Sequence, residues 1–380
     1  MSDTLRTAVI GTGFVGPFHV DAVRRGGIGE VVAIAGSNPE RTAARARALG
    51  VPRAETDVEA LLSDTDIDVI HVCTPNDTHV ALARRALEAG KHVVVEKPLA
   101  LSLADARGLE TLAAQVGRHG MVAFTYRGYP MVRRARQLVA EGELGDLRLV
   151  HGAYLQDWLA EETDYNWRLE PGSGASRAVA DIGSHWIDTV EFVSGRRVTG
   201  VFADLATFLP ARQRPLVEAA AFQDASGERE TVAITSEDAA TVLLRLEDGS
   251  RGSVVISQVS PGRKNAFGFE MAGSRASLAW EQERPESLWI GSRSEARRLT
   301  REPDAATTGV PSLPAGHPEG WAEALRDVVR TFYAAIVDGS PADDGLAPYP
   351  TLADGARSVA VVEAIVESNR RQAWVVPASG

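Results

Sequence analysis

An apolar run that stops at a glycine turn constrains this chain more than any other stretch. It reads Ala8-Val9-Ile10-Gly11-Thr12-Gly13-Phe14-Val15-Gly16, and a helical pattern follows Gly16. Strand, turn and helix in that order are the setting in which G-x-G-x-x-G holds a dinucleotide pyrophosphate. Gly11 permits the tight turn, Gly13 lets backbone approach the phosphates, and Gly16 lets helix pack closely on strand. The N–H groups at the helix start and the positive end of its dipole face the anion. Gly11, Gly13, Phe14, Val15 and Gly16 are therefore the expected phosphate-side contacts.

The first third continues as short β-branched runs alternating with helical patterns. Strands are expected at Thr7–Ile10, Glu30–Ala35, Val69–Cys73, His92–Val95 and Met121–Phe124. Helices are expected at Phe18–Arg25, Pro39–Leu49, His79–Ala89 and Ala104–Arg118, with Gly50, Gly90 and Gly120 as left-handed caps. Such alternation builds a doubly wound parallel sheet, a Rossmann domain over residues 1–125. The rest of the 380 residues, 126–380, forms a second α/β domain for substrate and for oligomerisation. After a helix at Pro130–Glu141 its strands come with few helices between them, which implies a large, open, mostly antiparallel sheet. They are Leu147–Tyr154, Val198–Phe208, Thr231–Thr235, Ala240–Leu246, Arg251–Gln258, Phe267–Ala272 and Ser277–Trp280. A helix at Ala178–Phe192 interrupts them, Gln213–Glu228 and Arg301–Pro314 read as loops, and helices at Glu319–Val337 and Leu352–Arg371 close the chain.

Bulk properties narrow the partners. A net charge of −11 argues against nucleic acid or an anionic membrane surface. Cys73 is the only cysteine, so no intrachain disulfide and no cysteine-based zinc site is expected. No signal-peptide pattern and no apolar stretch of about 20 residues is seen, so a cytoplasmic location is expected.

Three further segments carry chemistry. Where a Rossmann site places an acid for the ribose 2′-OH, this chain has Ala35-Gly36-Ser37-Asn38-Pro39-Glu40-Arg41. Gly36 and Ser37 leave room there. Arg41 either pairs a 2′-phosphate or is a solvated residue of the first helical turn, with Asn38 as the cap. The cofactor is NAD or NADP, and the missing acid tilts the choice towards NADP. The segment Thr74-Pro75-Asn76-Asp77-Thr78-His79 follows the expected strand Val69–Cys73 at the carboxyl edge, where ligands bind in open α/β sheets. Thr74, Pro75, Asn76 and His79 are expected to touch the cofactor, and Cys73 to be a small buried residue. The run Val93-Val94-Val95-Glu96-Lys97-Pro98 delivers Glu96 and Lys97 to the same edge. A lysine beside a nicotinamide can stabilise a developing alkoxide and relay its proton. Pro98 fixes the turn and admits a cis bond.

The order GTGFVG, TPNDTH, EKP and then Asp181-Ile182-Gly183-Ser184-His185 resembles the Gfo/Idh/MocA oxidoreductase family, over nearly the whole chain. The resemblance implies metal-free, NAD(P)-dependent oxidation or reduction of sugars, glycosides, cyclitols and related polyols, with Lys97, Asp181 and His185 as the catalytic group. It also implies a substrate-side role for Tyr126 and Arg127. Residue chemistry agrees with it. Asp181 and His185 are four apart and share a helix face, and an imidazole suits the proton of a sugar hydroxyl. Asp181 is expected to orient that ring. Trp158, Tyr165, Trp167 and Arg168 are expected around the sugar, although each also fits a core or interface position. Gln258, Lys264 and Asn265 on the later strands carry less weight. Two other readings stay open: a glycoside-processing enzyme that retains NAD for transient oxidation, and a non-catalytic cofactor-binding regulator. A homodimer or homotetramer through the open face of the second sheet is expected, because one face of that sheet lacks a helical cover.

Overall fold

The computed structural model describes residues 4–170, 172–216, 227–301, 313–314, 316–340 and 349–378. The chain divides into two units. One comprises Met1–Gly128 with Trp321–Arg357, the other Tyr129–Gly320 with Ser358–Gly380.

The first unit opens with β1 (Leu5–Ile10), α1 (Gly16–Gly26), β2 (Gly29–Ala35), α2 (Pro39–Leu49), β3 (Arg53–Glu55) and α3 (Val58–Leu62). It continues with β4 (Val69–Val72), α4 (His79–Glu88), β5 (His92–Val95), α5 (Leu103–Val116) and β6 (Gly120–Val122). The strands pair in parallel in the order β3-β2-β1-β4-β5-β6. Helical cover on both faces explains why Ala8-Val9-Ile10 and Val93-Val94-Val95 are unbroken apolar runs. Local chemistry sets the helix ends: Asn38 caps α2 by accepting from the Arg41 N–H at 2.9 Å, and Pro39 sits in its first turn. Gly117, with φ +63°, caps α5; Gly120, expected in that role, is the first residue of β6 and packs against Leu352.

The second unit opens with α6 (Pro130–Ala140), β7 (Leu147–Leu155), α7 (Ser184–Ser194) and β8 (Val198–Ala206). Then come β9 (Ala211–Pro215), β10 (Arg229–Ala233), β11 (Ala239–Leu246), β12 (Arg251–Ser257), β13 (Ala266–Gly273), β14 (Ala276–Glu281), β15 (Ser287–Ser292) and β16 (Ala296–Thr300). The large sheet runs β16-β15-β14-β13-β7-β12-β11-β8, antiparallel except for the β7–β12 pair. In β11 the alternation is clean: Ala240, Val242, Leu244 and Leu246 are buried, whereas Thr241, Leu243 and Arg245 are exposed. The fold is thus the expected mixed α/β one, a parallel Rossmann sheet and a large, mostly antiparallel sheet.

Several expectations differ in detail. The strands β3, β15 and β16 were not anticipated; each is short, and arginines interrupt β3 and β16. The Thr231–Thr235 strand belongs to a separate β9–β10 hairpin, not to the large sheet. Part of the Gln213–Glu228 loop is therefore β9; residues 217–226 of it, and 302–312 of the Arg301–Pro314 loop, lie outside the described residues.

The largest difference concerns α8 (Trp321–Val337), which sequence reading places in the second domain. It belongs to the first unit, where Leu325, Val328, Val329, Phe332 and Tyr333 join the core of Val9, Val20, Val23, Ile34, Val69 and Val94. Helical periodicity shows that α8 has an apolar stripe but not which sheet receives it. The last helix, α9 (Leu352–Arg371), starts in the first unit, and from Ser358 on it belongs to the second.

Candidate active site

In the first unit the turns carrying the motifs follow the carboxyl ends of β2, β1, β4 and β5, which are neighbours in the sheet. The strand order reverses direction between β1 and β4, so the glycine turn and the 74–79 segment flank the switch point of the sheet.

The glycine turn is built for a close backbone approach. Gly11 has φ +124°, and a Cβ there would strike the Cys73 carbonyl; one on Gly16 would strike the Gly11 carbonyl. Gly13 differs, because a Cβ there meets nothing within 4 Å. The α1 N-terminus has no side-chain cap. An open space above Gly13, bordered by a helix start without a carboxylate or hydroxyl of its own, fits a pyrophosphate. Phe14 is exposed and tilts against Phe18 at 5.3 Å.

The remaining dinucleotide-side residues divide. Ser37, Asn38 and Arg41 are exposed, with Asn38 engaged in the α2 cap. Gly36, expected to leave room, does not: a Cβ there would press on Thr12 and on the Thr42 hydroxyl. Pro75 is exposed, and Thr74 and Asn76 are half-buried. His79 is buried, with Nδ1 2.8 Å from the Pro98 carbonyl and Nε2 2.9 Å from the Thr74 carbonyl. It ties the 74–79 segment to the Glu96-Lys97-Pro98 turn, and burial holds its pKa below the ordinary imidazole value. The Lys97–Pro98 bond is cis. Glu96 is buried; its Oε1 lies 2.9 Å from His19 Nε2, and its Oε2 accepts from the Lys97 backbone N–H at 3.2 Å. Burial and the Glu96 charge push the Cys73 thiol well above its ordinary pKa, which makes it a poor nucleophile. Tyr126 and Arg127, expected on the substrate side, are buried in a 3₁₀ turn, and Arg127 pairs with Asp354 at 3.0 Å.

In the second unit Asp181 lies on one π-helical turn, Val179–Gly183, that leads into α7 with His185 in its first turn. Such turns are short and recur at functional sites. Two carboxylates that sequence reading missed hold this segment. Glu237 accepts from the Ser176 hydroxyl and from the backbone N–H groups of Arg177 and Val179, at 2.8–2.9 Å. Next to it the fully buried Asp238 pairs with Arg177 and, at 2.9 Å, with Arg212.

Asp181 itself is bridged. Its Oδ1 accepts from Arg168 Nε at 3.0 Å and its Oδ2 from Gln258 Nε2 at 2.7 Å. The Arg168 guanidinium lies 4.4 Å from the Trp167 ring centre and 5.8 Å from that of Trp158. Trp158 donates to Gln156, while Gln156 and the Tyr154 hydroxyl both donate to Asn265, at 2.7–2.9 Å. The Tyr154 and His185 rings are 6.5 Å apart. The structure thus brings Trp158, Trp167, Arg168, Asp181 and His185 into one neighbourhood with Gln258 and Asn265. Gln258 follows the end of β12 and Asn265 precedes the start of β13, each at a strand–turn junction, which was the available signal. Tyr165 is held by Glu170, and burial raises its pKa to about 12. Among the described residues no group of three or more His, Cys, Asp or Glu is arranged to hold a metal ion, and no helix is long and apolar enough to cross a membrane.

Comparison with known proteins finds two family models along the chain. Residues 5–124 match the model of an oxidoreductase family with an NAD-binding Rossmann fold (GFO_IDH_MocA), and residues 132–279 match the GFO/IDH/MocA C-terminal domain. The chain is 32% identical over 358 residues to levoglucosan dehydrogenase of Pseudarthrobacter phenanthrenivorans, covering 90% of this chain and 88% of that protein. An oxidoreductase domain protein from Kribbella flavida superposes with a TM-score of 0.90 at 34% identity, over 99% of this chain and 100% of that one. An inositol dehydrogenase homolog from Azotobacter vinelandii, solved with NADH and myo-inositol, superposes with a TM-score of 0.86 at 28% identity, over 99% and 98%.

Proposed function

We propose, from the premise that this chain belongs to the Gfo/Idh/MocA family of NAD-binding oxidoreductases, that it oxidises or reduces a carbinol carbon of a sugar, glycoside or cyclitol. The observation that carries the reading is Asp181, buried and bridged by Arg168 and Gln258, with His185 one turn further on. When bound, a nicotinamide supplies the hydride acceptor. His185 takes the hydroxyl proton as the alcohol becomes a carbonyl. Lys97 stabilises the charge that develops on the same oxygen. Arg168 and Gln258 hold Asp181, which in turn favours the charged form of the neighbouring imidazole. Trp158 and Trp167 present ring faces to the apolar side of a sugar.

The dinucleotide is NAD(H) in this reading, held by Gly11, Gly13, Phe14, Val15 and Gly16 and flanked by Thr74, Pro75 and Asn76. Arg41 is the residue that would accept a 2′-phosphate. A panel of levoglucosan, myo-inositol, free sugars and glycosides, run with NAD and with NADP and followed by absorbance of the reduced cofactor, tests the reading. Turnover of a polyol in the panel supports it; no reduction of either dinucleotide by any of them refutes it. Arg41→Ala should weaken NADP more than NAD, and equal effects would make Arg41 a solvated helix residue.

The assembly is a homodimer or homotetramer through the open face of the large sheet. That face exposes Leu149, Leu243, Val255 and Trp289, apolar side chains that a second copy would cover. A monomer by light scattering at micromolar concentration would refute it.

A further inference from the structure

Glu96, in the Glu96-Lys97-Pro98 turn, ends a line of five polar side chains, and the other four take no part in contacting cofactor or substrate in the site described above. All belong to the first unit, on β1, α1, β4, α8 and the end of β5. Glu96 Oε1 is 2.9 Å from His19 Nε2, and His19 Nδ1 is 2.8 Å from His71 Nδ1. His71 Nε2 is 3.0 Å from the Tyr333 hydroxyl, which is 2.6 Å from the Thr7 hydroxyl. Thr7, His19 and His71 are 0% exposed and Tyr333 is 1% exposed. His71 stands in a strand that is otherwise Val69, Ile70 and Val72. An apolar residue would fill that position without the desolvation that a ring with two polar nitrogens brings.

Counting protons fixes the direction of the line. Each of its four gaps needs one proton. Neutral His19, neutral His71, Tyr333 and Thr7 contribute one each, and an ionised Glu96 contributes none. Every gap is then filled in a single sense: Thr7 donates to Tyr333, Tyr333 to His71, His71 through Nδ1 to His19, and His19 through Nε2 to Glu96. Burial and the neighbouring His19 hold the His71 pKa well below the ordinary value, so the ring stays neutral. A fifth proton, placed on Glu96, would reverse every bond and turn the Thr7 hydroxyl away. Thr7 is itself buried, so the line does not lead protons out to solvent at that end. Its effect is static: it selects tautomers and keeps one charge at Glu96.

We propose that the Thr7–Tyr333–His71–His19 line is a positioning device for Lys97, one that holds Glu96 ionised and in one rotamer beside the lysine. His19 grips one carboxylate oxygen while the other receives the Lys97 backbone N–H, so the line fixes where the lysine leaves the chain. His79 anchors the same turn from its other end, through the Pro98 carbonyl. His19, His71 and Tyr333 are positioning residues, and the inference rests on the reading of Lys97 given above.

Two measurements test it. The first is independent of turnover. In the ¹⁵N-histidine-labelled full chain at pH 7, with and without NADH, His19 should appear as the Nε2–H tautomer and His71 as the Nδ1–H tautomer. An imidazolium at either position, or the opposite tautomers, overturns the proposal. The second compares variants that keep one ring nitrogen each. His19→Gln places an amide N–H near the Nε2 position; His19→Asn places one near Nδ1. His19→Asn should lower kcat roughly tenfold, because it removes the donor that holds Glu96, with KM and NADH affinity near those of the parent. His19→Gln should restore most of that rate, and Tyr333→Phe should lower kcat from a distance. Equal kcat for the Gln and Asn variants, or a change confined to melting temperature, overturns it. Lys97→Met separates the two readings. If that variant keeps the parent rate, the assignment of Lys97 fails, whatever the tautomers show. If Lys97→Met is inactive and His19→Asn is silent, the lysine reading stands and the positioning line falls.

Discussion

The three glycines of the first turn should respond to substitution in opposite ways, and Gly13→Val is the informative change. Gly13 lacks a left-handed φ, and a Cβ there meets nothing within 4 Å. The protein itself therefore gives little reason for a loss of stability, and restricting the unfolded chain contributes in the stabilising direction. The open space matters only once a pyrophosphate occupies it. A valine side chain would then keep the phosphates from the backbone N–H groups. A hydrogen bond to a charged group is worth about 1.5–3 kcal/mol, so losing one weakens binding by about 10- to 150-fold. Gly11→Val places its side chain into the Cys73 carbonyl from a left-handed φ, and this variant should lose stability outright. The assay is NADH binding by calorimetry beside thermal melting of both variants. Gly13→Val should melt near the parent and bind poorly. NADH bound with parental affinity would refute the assignment of the turn, and a melting loss as large as that of Gly11→Val would refute the account of open space.

Three other outcomes are expected. Lys97→Met and His185→Ala should each lower turnover by roughly 100-fold or more while NADH affinity holds, and should be non-additive together, as shown by steady-state kinetics. Asp238→Asn should destabilise the second unit by roughly 3–5 kcal/mol in urea unfolding, because it leaves the buried Arg177 and Arg212 without their anion. Stability should fall with pH below the ordinary imidazole value of 6.5 and keep falling towards 4. Burial lowers the pKa of His71, His79 and His92, the last to about 4, so the unfolded chain takes up protons that the folded one refuses. Urea midpoints measured from pH 7 to 5 check the sign, and a flat or rising profile would contradict it.

What was legible in the amino-acid order was whatever short spacing encodes. The glycine turn, the Glu96-Lys97-Pro98 corner and the Asp181–His185 spacing each lie within six residues, so local geometry follows from residue type alone. Periodicity located α2 and α9 to the residue. Polar partnerships across long separations carried no such mark. His19 and His71 read as ordinary helix and strand residues, and Tyr333 lies 262 residues beyond His71. Gln258 carries little weight at the end of an expected strand, because nothing local marks its bond to Asp181, 2.7 Å away and 77 residues earlier. Glu237 and Asp238 fall between the expected strands Thr231–Thr235 and Ala240–Leu246, and nothing local marks acids there for burial; their buried partners come from residues 176–179 and 212. Arg127 followed a strand end where a substrate contact was expected, and its pairing with Asp354 depends on where α9 begins.

The return of α8 to the first unit sets a schedule for synthesis. The core around Val9, Val20 and Ile34 lacks Phe332 and Tyr333 until the helix that carries them has left the ribosome. Roughly 190 residues of the second unit are translated in between, which at ordinary elongation speed takes about 10–40 s. Through that interval the nascent Rossmann sheet exposes the apolar groove that α8 will fill, and Glu96 waits behind two histidines whose next partner, Tyr333, has not arrived. A fragment ending at Gly128 would be frozen at that stage, and co-expression with a separate chain carrying Trp321–Arg357 would be the way to complete it.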